Sequence, residues 1–120
     1  MRPTLRRLAA ACVRSLAVTA VASAAHAGVP TLHDCLEASE FIANAAHARD
    51  NGMLRDTFLA RMEEDFVVIR AFPPALRWFA KDGDDERFLL DAAARVYDRP
   101  QPPAQHHADF LAVCLERLTV

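Results

Sequence analysis

A chain of 120 residues, 52% apolar and 25% charged, holds material for one small domain and no second one. Its formal net charge of −2 is unevenly spread: Arg2, Arg6, Arg7 and Arg14 precede Ala27, whereas all 16 acidic residues follow it, so the stretch from Gly28 sets ten Lys plus Arg against 16 Asp plus Glu, a net −6. That balance argues against nucleic-acid binding and against adhesion to anionic lipid.

Residues 1–27 have the layout of a secretory signal peptide. A basic start without an acid leads into the mostly apolar run Ser15 to Ala25 and an A-x-A site at Ala25-His26-Ala27. A membrane span needs ~20 apolar residues, and Arg14 leaves about half of that. Leu8-Ala9-Ala10-Ala11-Cys12 looks like a lipoprotein box, but too little apolar chain precedes Cys12. The Arg6-Arg7 pair invites a twin-arginine reading, yet Leu5 stands where that signal usually has Ser or Thr. General secretion is the reading kept: cleavage near Ala27, then a single helical domain over 28–120, periplasmic or secreted. Thirteen of the 14 basic residues are Arg, which fits a GC-rich bacterial source.

Beyond Ala27 the apolar pattern is helical. A first helix is predicted from about Thr31 to Arg49, with Leu32, Cys35, Leu36, Ser39, Ile42, Ala45 and Ala46 on one stripe and Asn51-Gly52 as its stop. A second runs from about Leu54 to Arg70 and aligns Phe58, Leu59, Met62, Phe66 and Ile69 until Pro73-Pro74 ends it. Pro74 to Ala80 suits a short third helix carrying the only Trp. A fourth starts at Asp84 or Asp85, whose carboxylates suit a helix N-terminus, and turns Phe88, Leu89, Ala92, Val96 and Tyr97 inward. Asp98 to Pro103 breaks the chain, and a last helix over about Ala104 to Leu118 buries His107 or Phe110, Leu111, Cys114 and Leu118. The expected fold is all-α, a compact bundle of four to five short helices.

Removal of Cys12 with the signal leaves Cys35 and Cys114, one in each terminal helix. An even count in an oxidising compartment reads as a disulfide joining the first and last helices. Closing so long a loop removes about 4 to 5 kcal/mol of unfolded-chain entropy in the ideal case. A reactive thiol pair and two metal ligands are the competing readings. No C-x-x-C is present to depress a thiol pKa, so the structural bridge is preferred.

Chemistry-bearing groups are few. His106, His107 and Asp109 are the metal-ligand candidates, since His106 and Asp109 sit one turn apart, and His33, Asp34 and His47 could approach from the first helix. The plain alternative makes His106 a solvated first-turn residue, His107 a half-buried neighbour of Phe110, and His47 a residue among alanines near a helix end. Glu63-Glu64-Asp65 reads as a solvated face and the run Asp82, Asp84, Asp85, Glu86 as a hydrated N-cap cluster, because a catalytic carboxylate must be desolvated in a pocket. No nucleophile motif, glycine-rich phosphate loop or haem-attachment motif occurs, so neither enzyme activity nor a cofactor is expected. Ala71 to Phe79 is the most distinctive segment. It reads as a corner in which Phe72, Leu76 and Phe79 plug the bundle, or as a partner surface built on Arg70, Arg77 and Trp78.

Asp34-Cys35-Leu36-Glu37-Ala38, Phe72-Pro73-Pro74 through Trp78-Phe79, and Phe110 to Cys114 together resemble small two-cysteine exported proteobacterial proteins, a likeness that implies no activity. In size, helicity and cysteine number the chain is also similar to HdeA-type periplasmic acid-stress chaperones, with no residue role carried over. The expected function is the first of three readings, and the other two are its alternatives. A non-enzymatic module binding a protein or envelope partner would show an exposed apolar patch near Trp78. An acid-responsive chaperone would open as its carboxylates protonate. A metal-binding protein or enzyme would be centred on His106, His107 and Asp109.

Overall fold

Thr31 opens α1 (Leu32–Asp50) with a capping box: its Oγ1 accepts from Asp34 N at 3.1 Å and its own N–H donates to Asp34 Oδ2 at 2.9 Å. The computed structural model describes residues 29–119; the expected signal peptide and its expected cleavage site lie outside them. α1 ends in a Schellman turn, with Gly52 N bonded to Arg49 O and Met53 N to Ala48 O, and Gly52 takes the required left-handed φ of 90°. α2 (Arg55–Ile69) follows, then a single 3₁₀ turn (Pro74–Leu76) in place of the expected third helix. Left-handed Trp78, at φ 55°, stops helical continuation there. α3 (Gly83–Asp98) starts just before the expected position because Asp82 is the N-cap, accepting from Asp85 N at 2.9 Å. α4 (Pro103–Glu116) begins on a proline at its first position and runs into a 3₁₀ turn, Arg117–Thr119.

These four helices form the compact all-α bundle, and the described residues contain no strand. α1 is the central element. It packs most extensively on α4 and next on α3, while α2 lies against α3. Ala38, Ala45 and Ala46 are fully buried on α1, small enough to let the neighbouring helices approach closely. The Cys35–Cys114 disulfide, with Cα atoms 5.7 Å apart and both residues fully buried, ties the first helix to the last. Among the described residues no helix is long and apolar enough to cross a membrane.

A chain of rings fills the seams. Tyr97 meets Phe58, Phe58 meets Phe41, Phe41 meets Trp78, and Trp78 meets Phe79, with centroids 5.7–6.2 Å apart. Fully buried Phe79 then packs on Phe88 and Phe110.

Several positions depart from the periodic expectation. Leu32 and Leu36 are exposed, because the buried face of α1 is turned toward Asp34 and Ala38. Asp85 and Glu86 are buried rather than solvated: Asp85 accepts from Arg117 Nη2 at 3.0 Å, and Glu86 takes Arg70 Nε at 2.7 Å. Both cations arrive from other parts of the chain, so the acidic run alone could not show that its first turn is covered. Glu63, Glu64 and Asp65 are exposed, as read.

Candidate functional site

Among the described residues, a cleft between α3 and α4 and an exposed apolar segment at the end of α2 could engage another molecule.

The cleft exists because α3 and α4 both pack on α1 more closely than on each other. Its walls follow from helical spacing: Phe88, Asp91, Ala92 and Arg95 share one face of α3, and His106, Asp109, Phe110 and Val113 share one face of α4. Ile42 of α1 lies beneath, and the cavity measures about 310 Å³. Phe88 and Phe110 narrow one end, their rings 5.5 Å apart.

The other end is closed by the 99–102 connection, which Arg49 holds in place. Arg49 Nη1 donates to Val96 O at 2.7 Å and Nη2 to Gln101 O at 2.8 Å, so one guanidinium covers the carbonyl end of α3 and anchors the loop after it. Asp50 steadies the same guanidinium at 2.9 Å. The Gln101 N–H donates to His106 Nε2 at 3.0 Å, and Arg49 Nη1 lies 3.3 Å from the same nitrogen. A backbone N–H is always a donor, so Nε2 is the acceptor and a neutral His106 carries its proton on Nδ1. Burial first, and the Arg49 charge second, push the His106 pKa below its ordinary value.

The apolar segment is held by Arg77. Its guanidinium donates to Phe72 O at 2.7 Å, Arg70 O at 3.1 Å and Lys81 O at 3.2 Å, while Lys81 Nζ donates to Trp78 O at 2.7 Å. These bonds hold Trp78 in a left-handed conformation that costs a non-glycine residue roughly 1–2 kcal/mol. Over 67–76 every residue except Ile69 is exposed, Val68 at 62%, Phe72 at 50% and Leu76 at 69%.

The metal-ligand candidates do not converge. His106 bonds to the 99–102 loop, His107 Nε2 meets Ser39 Oγ at 3.1 Å, and Asp109 accepts from Gln105 Nε2 at 2.8 Å. Among the described residues no three His, Cys, Asp or Glu side chains group as metal ligands do. His106 is buried, not solvated, because the loop and Arg49 cover it. His47 is exposed. In the corner, Phe79 plugs the core as expected, but half-buried Trp78 takes the inner role assigned to Phe72 and Leu76, which face out. Arg77 is committed to three carbonyls and Arg70 to Glu86, which leaves neither guanidinium idle.

A second buried polar cluster lies at the disulfide end. Asp85 accepts from Lys81 N and Arg117, and Arg117 rests over the Phe88 ring at 4.2 Å. Burial, then the Asp82 charge, raise the Asp85 pKa, and Arg117 opposes them. Lys81 Nζ also reaches Asp34 Oδ2 at 3.4 Å, linking the N-terminus of α1 to this cluster.

No known protein family, curated protein or solved structure matches this chain. The functional reading therefore rests on the two surfaces. Sequence reasoning passed over Asp91, Arg95 and Arg99; their one signal was the i, i+4, i+8 spacing on a helix face, which an ordinary solvated face shares.

Proposed function

We propose that this is a non-enzymatic interaction module, exported to an oxidising compartment, that docks on a partner protein through the exposed segment 67–76. The observation that carries the reading is the coincidence of apolar exposure with a backbone tied by side-chain hydrogen bonds. Val68, Phe72 and Leu76 face out on a corner that Arg77 clamps by three hydrogen bonds. A fixed apolar surface binds with little ordering cost, which favours recognition. Export is supported by the A-x-A site at Ala25 to Ala27 and by a disulfide of the kind that persists outside the cytosol.

Site-specific photo-crosslinking in the producing cell tests this. A crosslinker at position 72 or 76 captures one discrete protein, whereas one at exposed Glu64 does not. Phe72→Ser combined with Leu76→Ser abolishes capture from position 68 without shifting the thermal midpoint. Equal capture from positions 64 and 72, or none from either, would overturn the proposal.

A further inference from the structure

The cleft between α3 and α4 presents its polar groups in an order that matches one kind of small molecule. α3 and α4 are joined by a short connection and run antiparallel, as the Gln101–His106 bond at one end and the Phe88–Phe110 contact at the other require. At a rise of about 1.5 Å per residue, Arg99 lies level with His106 at the loop end. Arg95, Asp109 and Asp91 occupy the middle, and the aromatic pair closes the far end.

Unused donors gather at the loop end. Arg95 and Arg99 line the cleft and make no hydrogen bond or ion pair within the described protein. His106 Nε2 is occupied as an acceptor, and its Nδ1–H has no protein acceptor and stays open to solvent. Asp91 in the middle is likewise without a partner, and Asp109 has only the exposed Gln105 amide. A simple anion drawn to the arginines would meet these two carboxylates. A simple cation would meet the arginines. A molecule carrying both charges next to each other would meet the arginines with one end and the carboxylates with the other.

We propose that this cleft binds a free α-amino acid with an apolar side chain. Its carboxylate lies between Arg95 and Arg99 and accepts from His106 Nδ1–H, its ammonium faces Asp91 and Asp109, and its side chain rests on the Phe88–Phe110 end. Guanidinium groups suit a carboxylate because their planar donors can bind both oxygens. A cavity of about 310 Å³ is at the small end for ligand sites, large enough for such a molecule and too small for a helix or an acyl lipid. Burial of His106 keeps the ring neutral, so it serves as a donor without adding a third positive charge. The site is separate from the docking segment, and either can fail without the other.

Titration of the oxidised protein, followed by amide chemical shifts, tests the assignment. L-Leucine and L-phenylalanine should give saturable shifts on α3 and α4. N-acetyl-L-leucine lacks the ammonium and L-leucinamide lacks the carboxylate, and each should bind at least about tenfold more weakly. The double variant Arg95→Gln, Arg99→Gln should lose at least about tenfold for leucine. Its thermal midpoint should hold, since neither guanidinium has a partner to lose, and Arg61→Gln should bind as the parent does. No saturable shift with leucine or phenylalanine up to roughly 10 mM would overturn the proposal. So would equal binding of the acetylated or amidated analogue, shifts mapping away from α3 and α4, or indifference to the arginine pair.

Discussion

Arg49→Met removes the guanidinium that holds the carbonyl end of α3 and the 99–102 loop, while keeping an unbranched stem of similar reach. Two backbone acceptors, Val96 O at 2.7 Å and Gln101 O at 2.8 Å, lose a charged donor. Hydrogen bonds to charged groups are worth about 1.5–3 kcal/mol each. Gln101 is exposed and can turn to water, so most of the loss falls on Val96 O, where the guanidinium also opposes the negative end of the α3 dipole. The pair with Asp50, which is 51% exposed, adds little. The expected cost is about 3 kcal/mol, a fall in melting temperature of roughly 12–24 °C for a domain of this size. Urea unfolding should show a lower midpoint with an unchanged slope. Arg49→Lys should restore less than half, because one ammonium cannot span acceptors that the planar fork reaches together. Loss of the Arg49 charge should also raise the His106 pKa, readable from its ring-proton shifts. A cost under about 1 kcal/mol, or full rescue by lysine, would refute the argument that this side chain closes the end of α3.

Four further outcomes follow from the same geometry. Cys35→Ser with Cys114→Ser reopens a loop whose ends are 79 residues apart, and chain entropy alone puts the cost at about 4.5 kcal/mol in denaturant unfolding. Phe79→Ala empties a fully buried site contacted by Trp78, Phe88 and Phe110 and should cost about 3–5 kcal/mol, whereas Leu76→Ala, at 69% exposure, should stay within about 0.5 kcal/mol. Arg117→Met strands the buried Asp85 carboxylate and should cost about 3 kcal/mol, most of it recovered when Asp85→Asn is added, as a double-mutant cycle would show. His106 has a lowered native pKa against an ordinary value of 6.5, so below that pH the unfolded chain takes up a proton that the folded one refuses. Its contribution is complete above pH 6.5 and is lost as pH falls toward the native pKa, and His106→Gln should flatten that part of the stability curve. Asp85 acts in the opposite sense, since its raised pKa favours the folded state as pH falls.

The helices and the disulfide were legible because their determinants are local or compositional. Caps, prolines and apolar spacing placed the four α-helices of the described residues to within a few positions, and the two cysteines expected to remain after signal removal had each other as the natural partner. The candidate site was far less legible. His106 and His107 are adjacent on one helix, and periodicity alone could not say which would be covered; Arg49, 57 positions earlier, decides it. Phe72, Leu76 and Trp78 carry the same apolar signal in the sequence, yet the left-handed turn at Trp78 sends its ring inward and leaves the other two outside.

The four α-helices and their ends were thus determined by local sequence, since hydrogen bonding within a helix and the apolar period act over a few residues, and the pairing of Cys35 with Cys114 was expected from it once Cys12 is taken to leave with a signal. Tertiary structure alone decided the burial of Asp85 and Glu86, the Arg77 clamp and the unpaired Arg95, Arg99 and His106 donors along one cleft. In each case a polar group's environment is set by chain segments remote in sequence, because desolvation and charge pairing depend on distance in space.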